Sequence, residues 1–194
     1  MKRKSGLSFY QKERRINKNF WKGVLGFLFW GFVMILVAFT FVYLFGVRTS
    51  VIGSSMEPTL YNGQEVLIDR FSYYISSPDT GDIVVFLPNG NENFHYYIKR
   101  IIGVPGDTVL ISDGIVYVNG EVLESRYVMD MIEDGGIAAS GITLGEDEYF
   151  VLGDNRNNSE DSRSSNVGIV RDEYIIGKVW FHLSCYEAEP GFVK

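Results

Sequence analysis

The segment Ile115–Val122, with the sequence IVYVNGEV, decides the expected fold of this chain. Its first half, Ile115-Val116-Tyr117-Val118, contains β-branched and aromatic residues, which favour extended strands. The next pair, Asn119-Gly120, is the strongest short signal for a two-residue hairpin turn. Glu121-Val122-Leu123 then predicts the returning strand. The segment therefore predicts an antiparallel β-hairpin.

Similar short apolar runs, bounded by turn residues, lie on both sides of this hairpin. They are Val66-Leu67-Ile68, Ile83-Val84-Val85-Phe86, Tyr96-Tyr97-Ile98, Thr108-Val109-Leu110-Ile111, Tyr149-Phe150-Val151-Leu152 and Ile175-Ile176-Gly177-Lys178-Val179-Trp180-Phe181. Between two of these runs, the glycine- and alanine-rich segment from Asp130 to Glu148 predicts a mobile loop. We therefore predict a mainly β domain made of coiled antiparallel sheet.

A long apolar segment precedes the predicted strands. Gly23 to Val47 is a run of 25 residues without a charge. As a helix this run would be roughly 37 Å long, which exceeds a bilayer core of about 30 Å. A cleaved signal peptide would have a shorter apolar region and a small-x-small site after it, whereas Arg48-Thr49-Ser50-Val51 follows here. We therefore predict a permanent transmembrane helix.

The charges on the two sides of this helix differ in sign. Residues 1–22 carry eight basic residues and one acidic residue (8 − 1 = +7), and residues 48–194 carry ten basic and 23 acidic residues (10 − 23 = −13). By the positive-inside rule, residues 1–22 form a cytoplasmic tail, 23–47 the membrane helix, and 48–194 an extracytoplasmic domain. We interpret the basic tail as a topology signal that also contacts anionic lipid. Nucleic-acid binding is not expected, because no basic patch recurs in the body.

Ser55 and Lys99 are the candidate catalytic residues. A serine needs a neighbouring base to take its proton, and the two histidines of the chain, His95 and His182, stand in no motif. Lysine can be that base when burial lowers its pKa enough for the amine to be neutral. The apolar and aromatic residues around Lys99 fit such a site. Taken alone, each residue has a simpler interpretation, a turn serine before Pro58 and a surface lysine.

A polar stretch completes the pattern. Gly153-Asp154-Asn155-Arg156-Asn157-Asn158-Ser159-Glu160-Asp161-Ser162-Arg163 directly follows an apolar strand. It suits either a solvated loop or a hydrogen-bonded scaffold that holds a lysine in place. Together with Ser55-Met56-Glu57-Pro58-Thr59-Leu60 and Lys99-Arg100, it makes the chain resemble the bacterial type I signal peptidases, the membrane-bound serine–lysine leader peptidase family, in the smaller Gram-positive-like form. The resemblance covers nearly the whole chain.

The resemblance implies a role for each matching residue. Ser55 is the nucleophile and Lys99 the general base. Ser159 matches the serine whose hydroxyl orients the lysine amine, while Asp161 and Arg163 match a structural ion pair behind the site. Three further residues of the same stretch are expected only to shape its loop: Asp154, Asn155 and Arg156.

The implied activity is endopeptidase cleavage of preproteins, with removal of their signal peptides after small-x-small sites through an acyl-enzyme. The substrate would bind as an extended strand beside the segment that leads into Ser55. The candidates to line shallow apolar pockets for the small residues are Val51, Met56, Leu60 and Ile98, and ordinary core packing is the alternative for these four. Trp180 and Phe181 either contact the lipid interface or pack in the core.

At one position this chain differs from some members of the family. Some members have a serine two positions before the nucleophile, and its hydroxyl helps to form the oxyanion hole; this chain has Gly53 there. The backbone N–H of Ser55 is expected to remain a donor. The second donor is left open, and a donor of this kind is worth about 10²–10³ in rate.

The remaining expectations concern ligands, partners and rival functions. The chain has too few histidines and cysteines for a zinc cluster, so we expect neither metal nor cofactor. Cys185, the single cysteine, is expected to be buried, and the protein is expected to be a monomer. A self-cleaving repressor-type protease is disfavoured by the membrane helix, and a catalytically dead assembly chaperone by the presence of Ser55, Lys99 and the polar stretch. A peptidase specialised for few substrates stays open.

Overall fold

A computed structural model describes residues 18–91, 95–124 and 131–193 of the chain. The chain divides into two compact units with the boundary between Thr40 and Phe41. The first unit consists, in its described part, of helix only. The second unit contains all the strands, and the candidate site is built within it.

The apolar run forms a single long helix, α1, from Lys18 to Phe45. Its part Phe20–Leu44, 25 residues with a mean hydropathy of 2.4, is long and apolar enough to cross a membrane by length and composition. The helix ends at Phe45 rather than at the predicted Val47. Gly46 closes the last turn by donating its N–H to the carbonyl of Val42 at 2.8 Å. Of the predicted basic tail, residues 1–17 lie outside the described residues.

The second unit contains short strands and one further short α-helix, α2, at Ser72–Ile75. The strands are β1 Val47–Ser50, β2 Glu65–Asp69, β3 Ile83–Phe86, β4 Tyr97–Gly103, β5 Thr108–Ser112, β6 Ile115–Val118, β7 Glu121–Val122, β8 Ile142–Thr143, β9 Glu148–Leu152, β10 Val170–Arg171, β11 Ile175–His182 and β12 Gly191–Phe192. The 3₁₀ turns are Pro88–Gly90, Gly136–Ser140, Arg156–Asn158 and Asp172–Tyr174. Each apolar run predicted to be a strand overlaps one of these strands.

In the described part of the chain the strands form two antiparallel sheets. The larger sheet has the order β1-β2-β11-β3-β4-β9-β10, with β12 paired to β11, and the smaller has the order β7-β6-β5-β8. Register shifts interrupt β11 and β4, and irregularities of this kind bend and twist a sheet. The sheet curls so far that the chain following its edge strand β1 contacts β4. The predicted mainly β, coiled antiparallel fold is confirmed.

The hairpin predicted from Asn119-Gly120 is also present. Val118 of β6 pairs with Glu121 of β7, so the loop contains only these two residues. Asn119 has φ +55° and Gly120 φ +84°. Positive φ at both central positions is what a type I′ turn requires, and asparagine and glycine tolerate it best.

The segment predicted to be a mobile loop is instead packed. In its described part, residues 131–148, Gly136–Ser140 forms a 3₁₀ turn and Ile142–Thr143 forms β8. Ile132, Ala138 and Leu144 are buried in the core cluster of the smaller sheet. Between these three residues no other position is buried, so the segment shows neither the alternation of a strand nor the 3.6-residue repeat of a helix, and the sequence pattern does not reveal its packing.

A buried ion pair ties β4 to the chain that follows β9. The guanidinium of Arg100 donates to both carboxylate oxygens of Asp154, at 2.9 and 2.8 Å. Both side chains are at most 5% exposed. Thr59 adds a hydrogen bond from its hydroxyl to Asp154 at 2.5 Å, which brings the turn after Ser55 into the same contact.

We predict that Asp154→Ala lowers the free energy of unfolding by roughly 3–5 kcal/mol, because the Arg100 guanidinium would stay buried without its carboxylate. The matched control is Glu65→Ala, which breaks the exposed pair between Arg48 and Glu65. That change should cost less than about 1 kcal/mol. Denaturant unfolding of both variants in detergent measures the difference, and equal costs would contradict the prediction.

Candidate active site

Ser55 lies in a compact turn after β1. The N–H of Glu57 donates to the carbonyl of Ser54 at 3.1 Å, and the N–H of Leu60 donates to the carbonyl of Met56 at 2.9 Å. Met56 and Leu60 are fully buried in the core cluster of the larger sheet. The core therefore holds this turn from beneath and leaves the half-buried Ser55 side chain at the floor of a cleft.

Lys99 lies on β4, where every residue from Ile98 to Gly103 is buried. Lys99 itself is only 4% exposed. Its Nζ donates a hydrogen bond to Ser55 Oγ at 2.6 Å and lies 5.5 Å from the centroid of the Tyr97 ring. The fold thus brings together two candidate residues that are 44 positions apart in the sequence.

The surroundings of Lys99 favour a neutral amine. Burial lowers the pKa of Lys99 from its ordinary value of 10.5 to about 8, against the opposing effect of the negative charges of Asp161 and Glu160. A neutral amine carries a lone pair that can accept the proton of the Ser55 hydroxyl. The two atoms lie within the distance that proton transfer between a serine and a base needs, and the lowered pKa makes the neutral amine more accessible than in an ordinary lysine.

The polar stretch Gly153–Arg163 holds the backbone at Ser54 and Ser55. The N–H of Asn155 donates to the carbonyl of Ser55 at 3.0 Å, and the Asn155 side-chain amide donates to the carbonyl of Ser54 at 3.2 Å. The amide of Asn158 donates to the hydroxyl of Ser54 at 2.7 Å. The sequence predicted a scaffold for the lysine in this stretch. It did not predict the contacts to Ser54 and Ser55, although Asn155 and Asn158, which make them, lie in the predicted stretch.

Asp161 and Arg163 form an ion pair within this loop. Arg163 donates to the two carboxylate oxygens of Asp161 at 2.8 and 2.9 Å. Asp161 is fully buried and also accepts the N–H of Gly153 at 3.1 Å. The guanidinium of Arg163 donates further to the carbonyl of Arg156. Through these bonds to Gly153 and Arg156, the ion pair connects the end of the loop to its beginning.

Gly153 sits where any side chain would collide with the site. A Cβ at this position would lie 2.3 Å from Ser159 Oγ and 2.5 Å from the carbonyl oxygen of Ser55. The hydroxyl of Ser159 is thereby packed near the nucleophile's backbone. Within the described residues, this buried hydroxyl has no hydrogen-bond partner. The structure gives it no bond to Lys99, so its expected role in orienting the amine stays a prediction.

Arg156 is part of the interior of the site, beyond the loop-shaping role expected from the sequence. It is 4% exposed, and its Nε donates to the carbonyl of Gly153 at 3.1 Å. Burial lowers the pKa of Arg156 to about 10, with Asp154 acting in the opposite direction. Its Nη2 is the other buried side-chain atom without a partner in the described part of the chain.

The backbone N–H of Ser55 is the candidate oxyanion donor. The N–H of Ser55 donates to no acceptor among the described residues, so it is available to a substrate oxygen. Gly53 has φ +85°, a conformation that favours glycine over serine, and its N–H donates to the Asn62 side chain at 2.9 Å. The backbone at position 53, where some family members have a serine, therefore has a conformation suited to glycine in this chain.

The dyad opens into a cleft of about 380 Å³. Of the four pocket candidates, Val51, Met56 and Ile98 line it, together with Ser54, His95 and Glu160. Leu60 does not line the cleft and lies fully buried beneath it.

Two other residues singled out from the sequence lie outside the cleft. Trp180 is half-buried, with its ring 5.9 Å from that of Phe192. Cys185 is half-buried rather than buried.

Comparison with known proteins identifies the family. Residues 25–184 match the model of the family "Signal peptidase, peptidase S26". A probable signal peptidase I-2 of Synechocystis is 41% identical over 145 residues, which are 70% of this chain and 64% of that protein. Signal peptidase I P of Bacillus subtilis subsp. natto is 36% identical over 74% of this chain and 82% of its own. Signal peptidase IB of Staphylococcus aureus is 34% identical over 76% of this chain and 86% of its own length. The resemblance expected from the motifs is therefore confirmed, and the chain belongs to the signal peptidase family, peptidase S26.

Proposed function

We propose that this protein is a membrane-bound serine endopeptidase that removes N-terminal signal peptides from exported preproteins. The observation that carries the proposal is the contact of 2.6 Å between Lys99 Nζ and Ser55 Oγ, made by a lysine with a lowered pKa. The similarity to signal peptidases of three bacteria supports the choice of substrate. The proposed cuts follow small-x-small sequences.

The proposed reaction needs only groups of this chain and water. Ser55 Oγ attacks the scissile carbonyl carbon while its proton passes to the neutral Lys99 amine. The N–H of Ser55 donates to the oxyanion that forms. When the C–N bond breaks, Lys99 returns the proton to the leaving amine, and an acyl-enzyme remains. Water then attacks the ester, with Lys99 again accepting and returning one proton, which regenerates Ser55.

The cleft offers a physical reason for small residues at the cut. Val51, Met56 and Ile98 bring apolar atoms to its wall, and Met56 is held rigidly by the core. Shallow apolar pockets accept an alanine-sized side chain and exclude larger ones. We therefore propose these three residues as the pocket lining, and Leu60 as its support from beneath.

The proposed topology follows from the helix and the charges. α1 would cross the membrane once, with residues 1–22 in the cytoplasm and the domain from residue 48 on the outer side. That arrangement would keep Ser55 near the point where a signal peptide leaves the bilayer. Trp180 and Phe181, with Phe192 71% exposed beside them, are proposed to contact the lipid interface. We propose that the protein acts as a monomer.

The first prediction concerns the two catalytic residues. Ser55→Ala and Lys99→Ala should each abolish cleavage of a model preprotein in detergent or lipid, with the wild-type cut read by mass spectrometry after a small-x-small sequence. Ser112→Ala and Lys178→Ala, which lie outside the cleft, are the matched controls and should keep their activity. A folded wild type that cuts no preprotein would favour a chaperone or a narrowly specific enzyme.

The second prediction concerns pH. Since the neutral Lys99 amine is the active form and its pKa is about 8, kcat/KM should rise with pH and level off above about 8. Below that value it should fall roughly tenfold per pH unit, because the amine becomes protonated. Initial rates on one substrate from pH 6 to 10.5 test this. A profile that still rises between pH 9 and 10.5 would mean that burial does not lower the pKa.

The third prediction separates function from stability at Ser159. Ser159→Ala removes a buried hydroxyl without a partner, so the thermal unfolding midpoint should not fall. If the hydroxyl orients the Lys99 amine during turnover, kcat should fall by roughly 10² while KM changes little. Ser159→Thr, which retains a hydroxyl, should recover part of the rate. A variant with normal kcat would leave Ser159 without the proposed role.

A further inference from the structure

A second cavity adjoins the active-site cleft. It has a volume of about 540 Å³ and shares three lining residues with the cleft: Ile52, His95 and Tyr96. Beyond them it is lined by Thr49 and Ser50 of β1, Leu87 after β3 and Ile176 of β11. We call this space the upstream cavity. The cleft therefore continues past Ile52, away from Ser55, and none of the steps proposed above uses this continuation.

The path between the two cavities has unused backbone hydrogen-bonding groups. β1 is the terminal strand of the larger sheet, so its outer edge pairs with no other described strand. The N–H and carbonyl of Ile52 make no hydrogen bond within the described residues. An extended peptide can add to such an edge and be held through its main chain. Its side chains would then reach both cavities in turn.

The direction of such a peptide follows from the place of β1 in the chain. Leu44 is the last residue of the apolar part of α1, and β1 begins at Val47 and runs toward Ser55. In the proposed function, the apolar part of a signal peptide lies in the bilayer and precedes the cut. A substrate that leaves the bilayer and reaches Ser55 therefore runs parallel to β1. Its residues before the cut lie beside Thr49 and Ile52.

We propose that the upstream cavity binds apolar side chains of the signal peptide that lie roughly five to six residues before the cut, because a peptide parallel to β1 would place them beside Thr49 and Ser50, six and five positions before Ser55. The inference rests on the proposed function and extends its specificity beyond the small-x-small site. The side chains of Leu87 and Ile176 give the cavity apolar walls, and Ile52 and Tyr96, 67% and 47% exposed, form its entrance.

The chemistry of the cavity sets the size of the expected effect. The wall of the cavity is mixed, with the aliphatic side chains of Ile52, Leu87 and Ile176 on it, and we expect this aliphatic part to favour leucine over asparagine. Burying a leucine side chain is worth enough to change kcat/KM roughly tenfold or more. Thr49, Ser50 and His95 also line the wall, and no acidic, lysine or arginine residue lines the cavity in the described part of the chain.

The experiment compares two preprotein-derived substrates with the same small-x-small site and either leucine or asparagine at the fifth and sixth residues before the cut. Full-length enzyme in detergent is assayed for the ratio of kcat/KM on the two substrates. We expect a ratio of about ten for wild type and about one for Ile176→Asn, since the apolar wall is lost. Val122→Asn, on the smaller sheet with 54% exposure, is the matched control and should keep the wild-type ratio.

A second variant and the possible outcomes keep the test decisive. Ile176→Trp fills the cavity with an apolar ring, which keeps folding favourable, and it should also bring the ratio to about one. Wild-type cleavage with a ratio near one would overturn the inference and leave the proposed function standing. A ratio that survives both Ile176 variants, or that responds instead to residues after the cut, would place the binding elsewhere. A wild type that cuts neither substrate would overturn the proposed function and the inference together.

Discussion

The burial of the Lys99 amine against Ser55 is the constraint around which the second unit is built. A lysine pKa that falls from 10.5 to about 8 corresponds to roughly 3 kcal/mol against the charged form in the folded state. This penalty is fully present below about pH 8, where both the folded and unfolded states carry the charge. It disappears as the pH rises to the ordinary pKa, where both states are neutral. At neutral pH the rest of the fold must offset this penalty, and the buried residues Ile98 to Gly103 of β4, which surround Lys99 in the sequence, contribute to that.

The ion pair behind the site makes this burial more effective. A free carboxylate at Asp161 would stabilise the ammonium form of Lys99 and raise its pKa. Arg163 binds both oxygens of that carboxylate and itself lowers the pKa of Lys99. The same carboxylate holds the N–H of Gly153, which packs against Ser55 and Ser159. One ion pair thus shapes the loop and limits the effect of its own negative charge on the base.

The sequence predicted the features that arise from short patterns. Asn119-Gly120 demands a particular turn, and the motifs around Ser55 and Lys99 carry a family pattern, so both could be found without coordinates. The packing of residues 131–148 could not, because its three buried residues are isolated among half-buried and exposed ones and form no continuous strand or helix pattern. The contact of Asn155 with Ser55 joins positions a hundred residues apart and depends on the curl of the sheet. Local sequence patterns predict strands, helices and turns, whereas the tertiary fold determines which polar groups contact each other.

The two buried side-chain atoms without partners in the described residues, Ser159 Oγ and Arg156 Nη2, belong to the same loop. Buried polar groups are nearly always satisfied, because an unpaired group loses its hydrogen bonds to water without replacement. Violations of this rule are expected at functional sites, where a structure gives up stability for chemistry. Here they fall in the loop that holds the backbone of Ser55, beside a lysine whose own burial is unfavourable. The ion pairs of Asp154 and Asp161 flank these two atoms, so the strongest and the weakest hydrogen bonding of the site occur in one loop of eleven residues.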